Sequence, residues 1–168
     1  MNKKNTLPRN GFTLIELLIV IAIIGILAVG AFVAFDPLTR FQDARDAQRW
    51  EDIVALLDAA KVHQVDNGGA YATEISGLTA GTDYMIGTAA TGCDATPCDV
   101  TIGATNCVDL SSSPLISGCY LASVPTSPNG TGSWDGTLTG YYINRSSTGT
   151  LTVGACESEG TSSISVQK

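Results

Sequence analysis

Histidine and positive charge are both scarce in this sequence. The 168 residues hold one histidine, and nine Lys and Arg face sixteen Asp and Glu, for a net charge of −7. The lone His63 has no partner at metal-ligand spacing, and the cysteines contain no C-x-x-C pair, so a zinc site is not indicated. No G-x-S-x-G, H-E-x-x-H or G-x-x-x-x-G-K-[ST] occurs either, which removes the common motif-borne hydrolase, metalloprotease and nucleotide-binding readings. The acid pairs Glu51 with Asp52 and Glu157 with Glu159 read as a solvated helix face and a carboxy-terminal segment rather than as a general acid and base. The chain is therefore read as no enzyme. There is no internal repeat and no second membrane segment.

What the chain does have is one long apolar run. From Leu17 to Phe35 no residue is charged, while the remainder is polar and rich in Gly, Ser and Thr. A helix rising about 1.5 Å per residue needs roughly 20 residues to cross the hydrocarbon layer, so the run is long enough to span a membrane. Lys3, Lys4 and Arg9 precede it, which leaves six basic residues against sixteen acids in the rest. Basic residues stay on the cytoplasmic side, so the amino terminus faces inward and the acidic bulk is exported. An acidic exported portion lacks the basic footprint that nucleic acid would need as principal ligand. A secretory signal peptide would begin similarly, but "DPLTRFQDARDAQRW" follows the run without a small-residue cleavage site.

The discriminating residues lie at the front of the run. "GFTLIELLIVIAIIGILA" resembles the amino-terminal segment of type IV pilins and pseudopilins. The resemblance implies cleavage between Gly11 and Phe12 by a prepilin peptidase and N-methylation of the new Phe12 terminus. It also implies a role for Glu16, the single acid in this segment. Once Phe12 is the terminus, amine and carboxylate share one helix face at the positive end of the helix dipole. A lone carboxylate in hydrocarbon is costly, and in a bundle of such helices the amine of a neighbouring copy can pair with it. A buried ion pair barely recovers its desolvation cost, so this pairing sets axial register more than it stabilises.

Beyond Asp36-Pro37 the pattern becomes amphipathic. Trp50, Ile53, Val54, Leu57 and Ala60 form an apolar stripe, and Arg45, Arg49, Asp52 and Asp58 point largely elsewhere. The helix should stop near Asp66, Asn67, Gly68 and Gly69. "DYMIG" and "DVTIGA" are candidate strands, and "GYYINRSSTGTLTVGACES" reads as two strands joined by a Ser-Ser-Thr-Gly turn. The expected fold class is α+β, a long amino-terminal helix, membrane-spanning and then amphipathic, packed on a small antiparallel sheet, as in pilins. The implied divisions are a leader at residues 1–11, a membrane or filament-core helix at 12–35, its amphipathic continuation at 36–67 and an exported β-rich head at 68–168.

All five cysteines, Cys93, Cys98, Cys107, Cys119 and Cys156, fall in that head, which suits disulfides formed outside the cytoplasm. Closing a loop of about 15 residues contributes roughly 3 kcal/mol in the chain-entropy model. The favoured pairing is Cys93 with Cys98 and Cys107 with Cys119, leaving Cys156 unassigned. No cofactor is expected, although Ser127, Asn129 and Asp135 offer oxygen ligands in a loop comparable in position to the calcium loop of secretion pseudopilins. Few carboxylates are present there, and a plain structural loop is the preferred reading. Asn129-Gly-Thr131 and Asn144-Arg-Ser146 are formal glycosylation sequons.

These readings converge on a structural subunit that polymerises through its amino-terminal helix into an extracellular filament for adhesion, motility or DNA uptake. Before assembly it would be a single-pass inner-membrane protein with an exported head, in contact with membrane lipid. Its partners would be copies of itself, minor pilins, the prepilin peptidase and the inner-membrane assembly platform. The alternatives are a pseudopilin of a type II secretion system and, from a different class, a monomeric membrane-tethered ligand-binding module.

Overall fold

The structure, a computed structural model, describes residues 11–168. The basic residues Lys3, Lys4 and Arg9 and most of the expected leader lie outside the described residues. The chain divides into two compact units, one ending at Leu38 and the other spanning Thr39–Lys168.

The first unit is dominated by helix α1, Leu14–Phe35, of 22 residues. None of its residues is buried, and among the described residues it supplies the one helical stretch apolar enough to cross a membrane. It runs through Gly25 and Gly30 without interruption and ends at Asp36, whose φ of 34° is left-handed. Two local rules place the break there. A residue before proline is disfavoured in the helical region, and aspartate tolerates positive φ better than most residues. Pro37 then opens α2, Pro37–Asp66, at the position where its missing N–H costs nothing. Near its end, Gly68 and Gly69 both take positive φ and the Gly69 N–H donates to the Gln64 carbonyl, so α2 stops where the glycines predict.

In the second unit α2 lies against a five-stranded sheet of order β2-β1-β3-β4-β5. The strands are β1 (Asp83–Ile86), β2 (Cys107–Val108), β3 (Tyr141–Arg145), β4 (Leu151–Ala155) and β5 (Ser165–Gln167), with short helices α3 (Thr73–Ser76) and α4 (Pro114–Ser117) in the connections. The β3–β4 hairpin has the expected turn, closed by Ser146 and by Gly149 at positive φ. The sheet is mixed rather than wholly antiparallel, because the two-residue β2 joins β1 in parallel. Neither β2 nor β5 carries enough alternation to be read from sequence. "DVTIGA" forms no strand. The Asp99 N–H donates to the Cys156 carbonyl and holds this segment as a crossing loop, while Ile102 is buried on the outer face of the sheet.

Strand alternation sends side chains to two covered faces. Ile86, Tyr141, Ile143, Leu151, Val153 and Ala155 pack with Ile53, Leu56, Leu57 and Ala60 of α2. Met85 and Tyr142 face the other way and pack with Trp134, Ile102, Cys93 and Cys156. Tyr142 is paired with Gly154, where a Cβ would lie 2.5 Å from the tyrosine ring, so the close approach requires glycine.

The helix stripe is rotated from its expected position. The face of α2 that is buried contains Asp46, Arg49, Ile53, Leu56, Leu57, Ala60 and His63, whereas Trp50 and Val54 remain exposed. Arg49, expected to point away, is completely buried. The reason is electrostatic: anions brought by the segment after β4 give the guanidinium partners inside.

Candidate assembly site and head clamp

At the start of α1 the chain leaves extended backbone at Thr13, with φ −82° and ψ 151°, and turns helical at Leu14. A reciprocal capping box makes that transition. The Glu16 N–H donates to Thr13 Oγ1 at 3.3 Å, and the Glu16 carboxylate accepts the Thr13 N–H at 2.9 Å and the Thr13 hydroxyl at 2.6 Å. Gly11 and Phe12, which flank the expected cleavage bond, precede the helix and are exposed. The first turn of an otherwise uncharged helix thus carries a carboxylate held at the positive end of the dipole, close to the residue that cleavage would make a terminus.

The second cluster lies in the head. Arg49 donates to Asp46 at 2.7 Å, to Glu159 at 3.0 Å, to Glu157 at 3.4 Å, to the Ser127 hydroxyl at 3.1 Å and to the Pro128 carbonyl at 3.0 Å. Arg45 adds two bonds to Glu159, through Nε at 2.7 Å and through its terminal nitrogen. The acids are held in turn by backbone: Asp46 accepts the Glu159 and Gly160 N–H groups, and Glu157 accepts those of Thr131 and Gly132 together with the Trp134 indole. Two cations therefore tie α2 to the 127–134 loop and the 157–160 segment. The Arg45 bonds, helped by Arg49 and opposed by burial, hold the Glu159 carboxyl down at about 2. Nearby the Tyr141 hydroxyl donates to Asp52 at 2.6 Å. Burial, reinforced by that carboxylate, pushes the phenol well above its usual range.

Comparison with known families supplies the deciding observation. Residues 7–32 match the model of a family described as the prokaryotic N-terminal methylation motif. The chain carries a prepilin-type signature. No curated protein and no solved structure matches it. The motif fits a prepilin of the pilin or pseudopilin kind, implies handling by a prepilin peptidase and indicates a structural subunit. With α1 it also fits an inner-membrane anchor.

In the head the cysteines pair differently from the expectation. Cys93 joins Cys107 and Cys98 joins Cys156, while Cys119 is a free, exposed thiol. Sheet register explains the exchange. The parallel β1–β2 pair sets Cys107 beside Met85, next to the loop carrying Cys93, and Cys156 follows directly on β4, where the Asp99 segment crosses. Cys119 lies beyond α4, on a different connection.

Each of the three calcium candidates has protein partners. Ser127 is buried against the Arg49 cation, Asn129 accepts the Trp134 N–H, and Asp135 accepts from Thr137 and Leu138 in a local turn. A guanidinium stands next to the ligand loop, which disfavours a divalent cation there. Among the described residues no group of three or more His, Cys, Asp or Glu is arranged for a metal. His63 packs edge-on against Tyr120. The ion cluster itself was missed in the sequence. The signal was Arg49 falling on the same helical face as Ile53, Leu56 and Ala60, since a charge on a buried stripe requires partners.

Proposed function

We propose that this chain is a type IV pilin-like subunit. It is cleaved between Gly11 and Phe12, methylated at Phe12, and polymerises through the 12–35 helix into an extracellular filament for adhesion, motility or DNA uptake. The observation that carries the reading is α1 itself, which is apolar on every side and wholly exposed, with a single carboxylate fixed in its first turn. A monomeric tether would need only the apolarity. The carboxylate has a use when the freed amine of another copy reaches it, and lipid before assembly is replaced by neighbouring helices afterwards. Minor pilins and an inner-membrane assembly platform complete the partner set. A pilus is preferred to a secretion pseudopilus because the calcium candidates are engaged elsewhere and the head is held by disulfides and by Arg49.

The test is electron microscopy of sheared surface filaments with mass spectrometry of their subunits. The expected subunit begins at a methylated Phe12. A mature chain that still begins at Met1, or that never polymerises, overturns the proposal. Glu16→Ala should insert into the membrane normally and lose filaments, and filaments of normal yield from that variant would remove Glu16 from assembly.

A further inference from the structure

An asparagine is followed by glycine twice in this chain, at Asn67–Gly68 and at Asn129–Gly130. Glycine has no side chain to obstruct attack of its own amide nitrogen on the Cγ of the residue before it. Both asparagine side chains are exposed, so access of water does not separate the two sites. The surroundings of the glycine do. A Cβ placed on Gly68 would meet nothing within 4 Å, and the chain there is at the end of α2, where Asn67 donates to the His63 carbonyl from its N–H at 3.0 Å and from Nδ2 at 2.9 Å. Helix ends open at little cost, and opening this last turn releases both bonds together. At the second site a Cβ on Gly130 would lie 2.7 Å from a Glu159 carboxylate oxygen and 3.1 Å from Arg49, and Asn129 Oδ1 accepts the Trp134 N–H at 2.6 Å. The Pro128 carbonyl on one side and the Thr131 N–H on the other are engaged by Arg49 and Glu157. Bringing the Gly130 nitrogen onto Asn129 Cγ therefore requires the clamp to open.

We propose that Asn67 is a site of spontaneous deamidation in the folded head, and that the Arg49 clamp shields Asn129 from the same reaction. The Gly68 nitrogen gives up its proton and bonds to Asn67 Cγ, the Cγ–Nδ2 bond breaks, and Nδ2 leaves with protons as ammonia, closing a succinimide ring. Water then adds to one of the two imide carbonyls and the adjoining C–N bond opens, giving aspartate or isoaspartate. No electrons change hands, and water is the one co-reactant. Either product exchanges a donor for an anion. The bond from Nδ2 to the His63 carbonyl is lost, and a new negative charge stands next to Asp66, the last residue of α2, at the negative end of the helix dipole. The modification therefore loosens the end of the long helix as the protein ages.

The full-length chain is incubated in detergent at neutral pH, with a parallel sample in urea and reductant, and peptides spanning each site are followed by mass spectrometry. In the folded chain Asn67 should lose its amide at least about tenfold faster than Asn129, the ratio set by roughly 1.4 kcal/mol of additional opening cost. In urea with reductant the two should react at comparable rates, since each precedes a glycine and neither is held. Asn67→Asp installs the charge of the product directly and should melt at a lower temperature than the parent. A folded chain in which Asn67 keeps its amide, one in which Asn129 reacts as fast, or a difference that persists in urea would each overturn the assignment. An Asn67→Asp variant as stable as the parent would overturn the effect assigned to the helix end.

Discussion

A guanidinium without solvent access is tolerable only while its anions are in place, and Arg49 has three carboxylates, a hydroxyl and a carbonyl around it. Removing the cation leaves Asp46 and Glu157 buried with less compensation, so Arg49→Met should destabilise the head by about 3–5 kcal/mol, measured by urea denaturation. Glu159 makes a pH-dependent contribution. Its carboxyl titrates near 4.5 when unperturbed and at about 2 in the fold, so the folded state holds it ionised where the unfolded chain would protonate it. That contribution is complete above about pH 5 and is lost as pH falls from roughly 4.5 towards 2. In thermal melts between pH 7 and pH 2, Glu159→Gln should be less stable than the parent at neutral pH and should lose less of its stability in that acid window. Parallel curves for the two proteins would contradict the assignment.

At the scale of elements, the outer face of the sheet depends on Tyr142 lying over Gly154. Gly154→Val places two methyl groups where the ring sits and should cost about 1–3 kcal/mol by overpacking, again measurable by denaturation. The disulfides on that face differ in kind from the free thiol. Losing the Cys98–Cys156 bridge through Cys98→Ser should lower stability by about 2–5 kcal/mol, whereas Cys119→Ser at an exposed, unbridged position should change it by less than about 0.5 kcal/mol. The elements differ in how legible they were. Membrane-length apolarity announced α1, glycines announced the end of α2, and the turn residues with flanking aromatic and β-branched residues announced the β3–β4 hairpin. Strands β2 and β5 are too short to show a period, and their existence depends on neighbours already in place. The cysteine pairing was illegible for the same reason, since register rather than spacing chose the partners. Arg49 was misplaced because a charge reads as outward-facing until its distant anions are known.

For the molecule as a whole, the two compact units answer to different solvents. The unit ending at Leu38 exposes apolar surface suited to lipid or other apolar helices, and the unit from Thr39 onward buries an apolar core of its own. Glu16 was legible because an ionisable group in an apolar segment is conspicuous in one dimension. The head clamp was not, since its members lie at positions 45–49, 127–134 and 157–160 and meet only in the fold. One adjacency in that clamp reaches further. Cys156 is covalently anchored to Cys98, and the next residue along is Glu157, with Glu159 close behind. The bridge therefore holds the stretch of chain from which both acids reach the arginines. Reducing that bridge should therefore slacken the ionic cluster as well, a coupling that urea denaturation with and without reductant would reveal.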